Sequence, residues 1–450
     1  MRAEYLDILS VPSISSSEEY RDEMRRCADL LHALLQEIGL ERVQCLETKG
    51  YPVVYGEWLH QPGQPVILLY GHYDVQPPGD PGAWESPPFT PTIRNERLYG
   101  RGAVDNKGQL FIQLEAVRTL LEQRGSLPFN VKVLIEGEEE IGSPSLPGFL
   151  ERHQALLACD AVVISDTAML GSGLPSVCHA LRGLLHIELE VVGPAQDLHS
   201  GSFYGGAVVN PLQVAAELIT GMKDKQGRIR IDGFYDHVRM SAEDRRLIQE
   251  IPFDEAAIAE RIGVPSFGGE ADYSHLEKVW LRPTLEVNGM EGGSANTIIP
   301  HKARTFLSCR LAPGQDPYDI QQKIERHLEV HQPAGVRIQS SFSGHAYPYL
   351  LAADHPLVTA ALASLEEVYQ RKAYPIRAGG TIPVVEWLSR IYDVPVVMLG
   401  FGLPDSGVHG PNEQMPLAQF AKGVETLVNY YLRIGREGKQ WLSGTNWHKG

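Results

Sequence analysis

Short, mainly apolar stretches that each run into a histidine or an acid constrain this chain more than any other feature. Residues 65–70, 130–135 and 160–164 have the length and composition of buried strands, and a helical pattern over 108–123 separates the first two. Strands joined by helical spacers predict an open α/β sheet, mostly parallel and flanked by helices. Gly71-His72-Tyr73-Asp74-Val75 follows the first stretch, Glu136-Gly137-Glu138-Glu139-Glu140-Ile141-Gly142-Ser143 the second and Asp166 the third, while Gly100-Arg101-Gly102-Ala103-Val104-Asp105-Asn106-Lys107-Gly108 leads into the helical pattern. Ligands gather at the carboxyl ends of parallel strands. Histidine with carboxylates there is a donor set for divalent metals, so the chain reads as a metal-dependent enzyme.

The pattern changes after Gly171-Ser172-Gly173-Leu174-Pro175. Alternating strands are expected at 184–192, 284–288, 305–311 and 336–342, with helices near 211–222 and 316–331, which describes an α+β module inserted into the first fold. The α/β rhythm returns near Tyr347, with helices at 355–370 and 382–392, a strand at 395–400, the last, expected to end just before His409, and a final helix at 416–434. The expected division is 1–177 and 346–450 for a catalytic domain, with 178–345 as the insertion. At the N-terminus, Ser16 with Glu19 suggests a capping box for a helix over 20–38 that stops at Gly39. The terminal segment 443–450 has no apolar periodicity and is expected to be loose.

Each polar run has two readings. His72 and Asp74, two apart on an extended chain, project to the same side. One of them then binds a metal while the other fixes the imidazole, because a ligating histidine normally gives its second N–H to a carboxylate or carbonyl. The plainer reading is a turn histidine beside a solvated aspartate. Asp105 suits either a metal ligand or an ordinary helix N-cap. Three adjacent carboxylates at Glu138, Glu139 and Glu140 repel one another unless cations or separation relieve them. If Glu140 holds a metal, Glu139 is placed to take the proton of the attacking water; the plainer reading is a solvated acidic turn. His409, in Gly407-Val408-His409-Gly410-Pro411-Asn412-Glu413, is either a further ligand or a satisfied loop histidine.

Charge and cysteine content exclude other classes. The 40 Lys and Arg against 56 Asp and Glu leave a formal charge of −16, which repels a phosphate backbone and anionic lipid, so neither nucleic acid nor membrane is expected as a partner. The five cysteines are odd in number, scattered and never in a C-x-x-C pair, as in a reducing compartment. Glu4 stands where a signal peptide carries its basic region, and no apolar run reaches the length of a membrane span. The expected location is cytoplasmic.

The runs above, together with Ile164-Ser165-Asp166, Asp197-Leu198-His199-Ser200-Gly201, Asn296-Thr297-Ile298-Ile299-Pro300, Arg377-Ala378-Gly379-Gly380-Thr381-Ile382-Pro383 and Val408-His409-Gly410-Pro411-Asn412-Glu413, occur in an order that resembles the co-catalytic metallopeptidases. That family includes carnosinase-like cytosolic dipeptidases, aminoacylases, succinyl-diaminopimelate desuccinylases and glutamate carboxypeptidases. The resemblance spans nearly the whole chain. It implies two divalent ions per chain, zinc first with manganese or cobalt as alternatives. His72, Asp105 and Asp166 would hold one ion and Asp105, Glu140 and His409 the other, with Asp105 bridging. Glu139 matches the general base for a water shared by the metals, and Asp74 the residue that steadies His72. A cis peptide is implied at Asp105-Asn106.

On the substrate side the resemblance implies that Arg310 grips a C-terminal carboxylate, with Gly380, Thr381, Thr297 and His345 beside the substrate. His199 would reach into the neighbouring subunit's site, making 178–345 a lid and dimerisation domain of a homodimer. Aspartate at 166 favours the dipeptidase branch, acting on short peptides. An N-acyl amino acid deacylase on the same fold and a non-catalytic binding or scaffold protein are the alternatives. Glu138 departs from the family pattern, and strand alternation predicts that it points away from the metals.

Overall fold

The computed structural model describes residues 2–201 and 203–442, so the segment 443–450 lies outside the described residues. The chain forms two compact units. The first comprises Met1–His179, Leu351–Ile376 and Val384–Gly450, and the second Ala180–Leu350 with Arg377–Pro383. The second unit thus takes in a short stretch, 377–383, from the part of the chain assigned to the catalytic domain by sequence.

Six strands of the nine-stranded sheet lie side by side in the order Glu41–Leu46, Val53–Trp58, Asn130–Glu136, Val66–His72, Ala161–Ile164 and Val396–Met398, after which Ser176–Leu181 pairs antiparallel. The last four of the six are parallel, as expected, while the first two pair antiparallel. The parallel strands are buried almost throughout, which is why their sequences read as near-continuous apolar runs rather than as alternation. Helix Lys107–Arg124 is buried on most of its faces, between the sheet and the long helix Leu417–Leu442. All four parallel strands point their carboxyl ends the same way, and the loops leaving those ends carry the residues singled out above.

In the second unit, four antiparallel strands lie in the order Thr284–Glu291, Lys302–Leu311, Gly183–Val192 and Arg337–Ala346. Gly183–Val192 and Lys302–Leu311 alternate strictly between buried and partly exposed positions. Their inward residues Leu185, Ile187, Leu189, Val191, Ala303 and Leu307 form a core with Val214, Leu218, Ile320 and Ile324 of helices Pro211–Met222 and Pro317–His331. Short helices at Ala242–Gln249, Glu255–Ile262 and His275–Trp280 occupy a stretch for which the sequence had suggested no elements.

Local expectations needed correction in three places. The helix expected over 20–38 is Arg21–Ile38, preceded by a 3-10 turn at Glu18–Tyr20, and neither start carries a side-chain cap; the Ser16–Glu19 capping box does not form. Asn106, not Asp105, is the N-cap residue of helix Lys107–Arg124. The strand expected over 395–400 ends at Met398, leaving His409 in a loop before the short strand Gln414–Pro416.

Gly108 shows how closely the loop before that helix is packed, since a Cβ there would stand 1.8 Å from the Ala103 carbonyl oxygen. Gly108→Ala is expected to shift the loop that carries Asp105 and to lower stability by about 1–3 kcal/mol, the usual cost of overpacking. Urea unfolding compared with wild type checks it.

Candidate metal centre

The site is built at the carboxyl rim of the parallel strands. His72 is the last residue of Val66–His72, and Asp74 follows it. Glu139 and Glu140 lie in the turn Glu139–Ile141 after Asn130–Glu136, Asp166 comes two residues beyond Ala161–Ile164, and His409 stands in the loop after Val396–Met398. Asp105 precedes helix Lys107–Arg124, and its peptide bond to Asn106 is cis.

These side chains converge in two triads, His72 with Asp105 and Asp166, and Asp105 with Glu140 and His409. Asp105 belongs to both. One of its oxygens lies 3.3 Å from His72 Nε2 and the other 2.9 Å from His409 Nε2, so each oxygen faces a different triad. His72 Nε2 is also 3.7 Å from Asp166 and 3.9 Å from Glu139, and His409 Nε2 is 3.3 Å from Glu140.

The donor set fits a pair of cations. His72 is fully buried, and its Nδ1 faces the Asp74 carbonyl oxygen at 3.1 Å and the Asp74 carboxylate at 3.2 Å. With acceptors on that side, the neutral ring carries its proton on Nδ1 and turns the Nε2 lone pair toward Asp105, Asp166 and Glu139. His72 Nε2 and Glu140 Oε1 are both buried without a hydrogen-bond partner. Asp105, Glu139, Glu140 and Asp166 supply four negative charges when ionised, and two divalent ions would balance them.

The electrostatics of the protein alone show the same deficit of positive charge. Burial pushes Asp166 up to about 6 and Glu139 well above its ordinary value. Hydrogen bonds to Asp105 and Glu140 raise His409 to about 10. Burial opposes a charged His72, but the negative charge of Asp166 and of the other acids close by outweighs it and raises the imidazole well above its usual range.

Comparison with known proteins agrees with this geometry. Residues 68–433 match the model of peptidase family M20/M25/M40. The chain belongs to that family. It is 29% identical to a Cys-Gly metallodipeptidase of Schizosaccharomyces pombe over 94% of this chain and 93% of that one. To the Beta-Ala-His dipeptidase of Mus musculus it is 29% identical over 86% and 80% of the two chains. Among solved structures, the M20 family metallo-carboxypeptidase Sso-CP2 of Sulfolobus solfataricus superposes with a TM-score of 0.85 at 32% identity, covering 97% of this chain and all of that one. Human carnosine dipeptidase 1 superposes at 0.80, with 27% identity and 96% and 95% coverage.

In this member of the family the triads rest on a layer of residues that sequence reasoning passed over or valued for another reason. Asp74 was expected to steady His72, but its carboxylate also accepts the backbone N–H groups of Glu139 and Glu140 and the Ser15 hydroxyl. It therefore ties two adjacent loops together. Asn106 receives the His72 N–H on its side-chain oxygen and donates to Asp166 at 2.6 Å, and Gln76 donates to Glu140 at 2.8 Å. Glu138 accepts from the Tyr51 and Ser145 backbone N–H groups, away from the triads as alternation predicted.

Glu413 does most to hold Asp105. Its two oxygens accept from the backbone N–H groups of Gly102, Val104 and Asp105 and from Arg101 Nη1 at 2.7 Å, with both side chains buried. The loop that carries His409 is thereby clamped to the one that carries Asp105. The signal available in the sequence was Glu413 itself, four residues after His409, with Arg101 four before Asp105, but nothing local pairs two residues so far apart.

The second unit groups the remaining predicted residues differently. His199 pairs with Ile298 on the two short strands Leu198–His199 and Ile298–Ile299, and Ser200 N–H donates to the Thr297 carbonyl, so His199 and Thr297 are neighbours. Arg310 donates to Thr381 at 2.7 Å, which places it beside Gly380. His345 is turned toward Gln321 and stacks on Tyr318.

Replacing Glu413 by glutamine sets an N–H2 group against donors and leaves Arg101 as a buried, unpaired charge. Glu413→Gln is expected to cost about 3 kcal/mol and to lower the metal content of protein isolated under equal conditions. Chemical denaturation and elemental analysis of the purified variant check both parts.

Proposed function

We propose that this protein is a dinuclear-metal-dependent dipeptidase, hydrolysing short peptides that carry a free C-terminal carboxylate. The carrying observation is the shared Asp105, whose two oxygens face two separate triads, together with the unpartnered, buried His72 Nε2 and Glu140 Oε1. The relatives named for Cys-Gly and β-Ala-His peptides support the substrate class. His72, Asp105 and Asp166 would hold one ion and Asp105, Glu140 and His409 the second. A nitrogen and oxygen donor set of this kind suits zinc, with manganese or cobalt the alternatives. When bound, such ions polarise the scissile carbonyl and acidify the attacking water.

The protein's own groups do the rest. Glu139, held by its backbone N–H on Asp74, accepts the water's proton and delivers it to the leaving amine. Asp74 keeps the His72 ring in one orientation. Arg310, half-buried and paired with no carboxylate among the described residues, reads the substrate's C-terminal carboxylate, with Thr381 and Gly380 beside it and Thr297 and His345 as further substrate-side groups.

The second unit serves as lid and dimerisation domain in this reading, with His199 acting on a partner subunit's substrate. Its side chain is exposed within the chain, and Phe203 close by is 88% exposed, as a residue that meets a partner would be. No helix among the described residues is long and apolar enough to cross a membrane, and all five cysteines are free thiols. We place the protein in the cytoplasm on the cysteine chemistry.

A panel of dipeptides and N-acyl amino acids, assayed on chelated protein after return of Zn²⁺, Mn²⁺ or Co²⁺, tests the assignment. Activity is expected to vanish on chelation and to return on dipeptides; return only on N-acyl amino acids would make the protein a deacylase instead. Glu139→Gln is expected to retain two ions per chain by elemental analysis while turnover falls about 10²–10⁴-fold.

Subunit complementation tests the trans role of His199. Glu139→Gln and His199→Ala chains, each nearly inactive, are mixed under conditions that exchange subunits. Half the dimers are then mixed, each with one intact site, and activity is expected to recover to about a quarter of wild type. No recovery after verified exchange would place His199 in its own chain's site or outside any.

A further inference from the structure

Arg182 lies at the end of the strand pair that carries Arg310. Arg310 is in register with Leu184 and Leu311 with Gly183, so Arg182 is the next residue along. It is joined to the turn 379–381 by three hydrogen bonds. Its backbone N–H donates to the Gly380 carbonyl at 3.1 Å, its Nε donates to the Gly379 carbonyl at 2.8 Å, and its own carbonyl accepts the Thr381 hydroxyl at 2.6 Å. The Thr381 oxygen accepts Arg310 Nη1 at 2.7 Å. One hydroxyl therefore links both arginines.

Neither guanidinium has a carboxylate within ion-pair distance among the described residues. Arg182 is 9% exposed, and its Nη1 is buried with no hydrogen-bond partner. Glu286 acts on Arg182 only at longer range and is itself paired with Lys223 at 3.0 Å. Burial, followed by repulsion from Arg310, brings the Arg182 guanidinium down to about 10. A chain with 56 acidic against 40 basic side chains does not leave two neighbouring cations unpaired for lack of acids. Two desolvated guanidinium groups with free donors are a receptor for an anion, and the planar fork matches a carboxylate.

We propose that Arg182 is a second carboxylate-binding residue, forming with Arg310 a two-guanidinium cradle, braced by the turn 379–381, for the free C-terminal carboxylate of the peptide substrate. The proposal rests on the reading that Arg310 meets that carboxylate. It adds that recognition is shared, with Arg182 both supplying a donor and holding the turn.

The test compares a dipeptide with its C-terminal amide on wild type, Arg310→Ala, Arg182→Gln and Arg182→Lys. Glutamine can still donate to the Gly379 carbonyl but carries no charge, and lysine keeps the charge without the fork, so the pair separates support of the turn from recognition of the anion. Arg182→Gln is expected to raise KM for the dipeptide about tenfold or more, as loss of a charged hydrogen bond does. It should change the amide far less and leave kcat on the dipeptide close to wild type, with Arg182→Lys in between. Equal losses on acid and amide in both Arg182 variants, or no loss in either, would overturn the role of Arg182. Arg310→Ala separates this from failure of the underlying reading: if that variant loses acid and amide alike, Arg310 does not read the carboxylate and the shared cradle falls with it.

Discussion

Repulsion among buried acids is the constraint around which the first unit is organised. Asp105, Glu139 and Asp166 are brought within a few ångströms of the fully buried His72 and Glu140 beside His409, with no lysine or arginine paired to any of the four acids among the described residues. Such a cluster is tolerable only if cations or protons occupy it. Without cations the cluster holds protons, which is what the upward displacement of Asp166, Glu139 and His409 expresses. Divalent ions meet the same charge with the geometry that two triads sharing one carboxylate already provide.

Holding that arrangement falls to a layer of hydrogen bonds made largely with backbone N–H groups. Asp74 and Glu413 each gather amides from neighbouring loops, three of them in the case of Glu413, and each is fully buried. A buried carboxylate that accepts several backbone donors is well compensated for lost water and resists rotation. The four parallel strands supply the rigid base, because their ends cannot move independently while both faces of the sheet are covered. Loops that would otherwise be mobile are thus pinned where the reacting groups must stay in register.

Much of this was legible in the chain. Continuous apolar runs followed by His72, Glu139, Glu140 and Asp166 point to parallel strands and to a rim of ligands, because burial on both faces leaves no other composition for such strands. Alternation in 183–192 and 302–311 reveals a one-sided antiparallel sheet for the same reason, inverted. Less was legible where structure is decided by partners. The Ser16–Glu19 capping box is a valid local signal that lost to a 3-10 turn, whereas the three short helices between residues 242 and 280 span only six to eight residues each, and the capping boxes that start two of them, Ser241 with Asp244 and Ser274 with Glu277, were passed over.

The sequence by itself determined which side chains are available and, through apolar spacing, that His72, Glu139, Glu140 and Asp166 follow strand ends, while the order of the motifs joined Asp105 and His409 to them. Only the tertiary structure decided that Asp105 turns one oxygen to each triad, that Glu413 and Arg101 clamp its loop, and that Arg182 joins Arg310 across one threonine hydroxyl. The physical reason is range. Periodicity and capping act over a few residues and are written locally, whereas Glu413 reaches back 312 residues to Arg101, and Arg182 reaches 197 residues on to Gly379. Such pairings exist only once the packed sheets have brought distant loops to the same place.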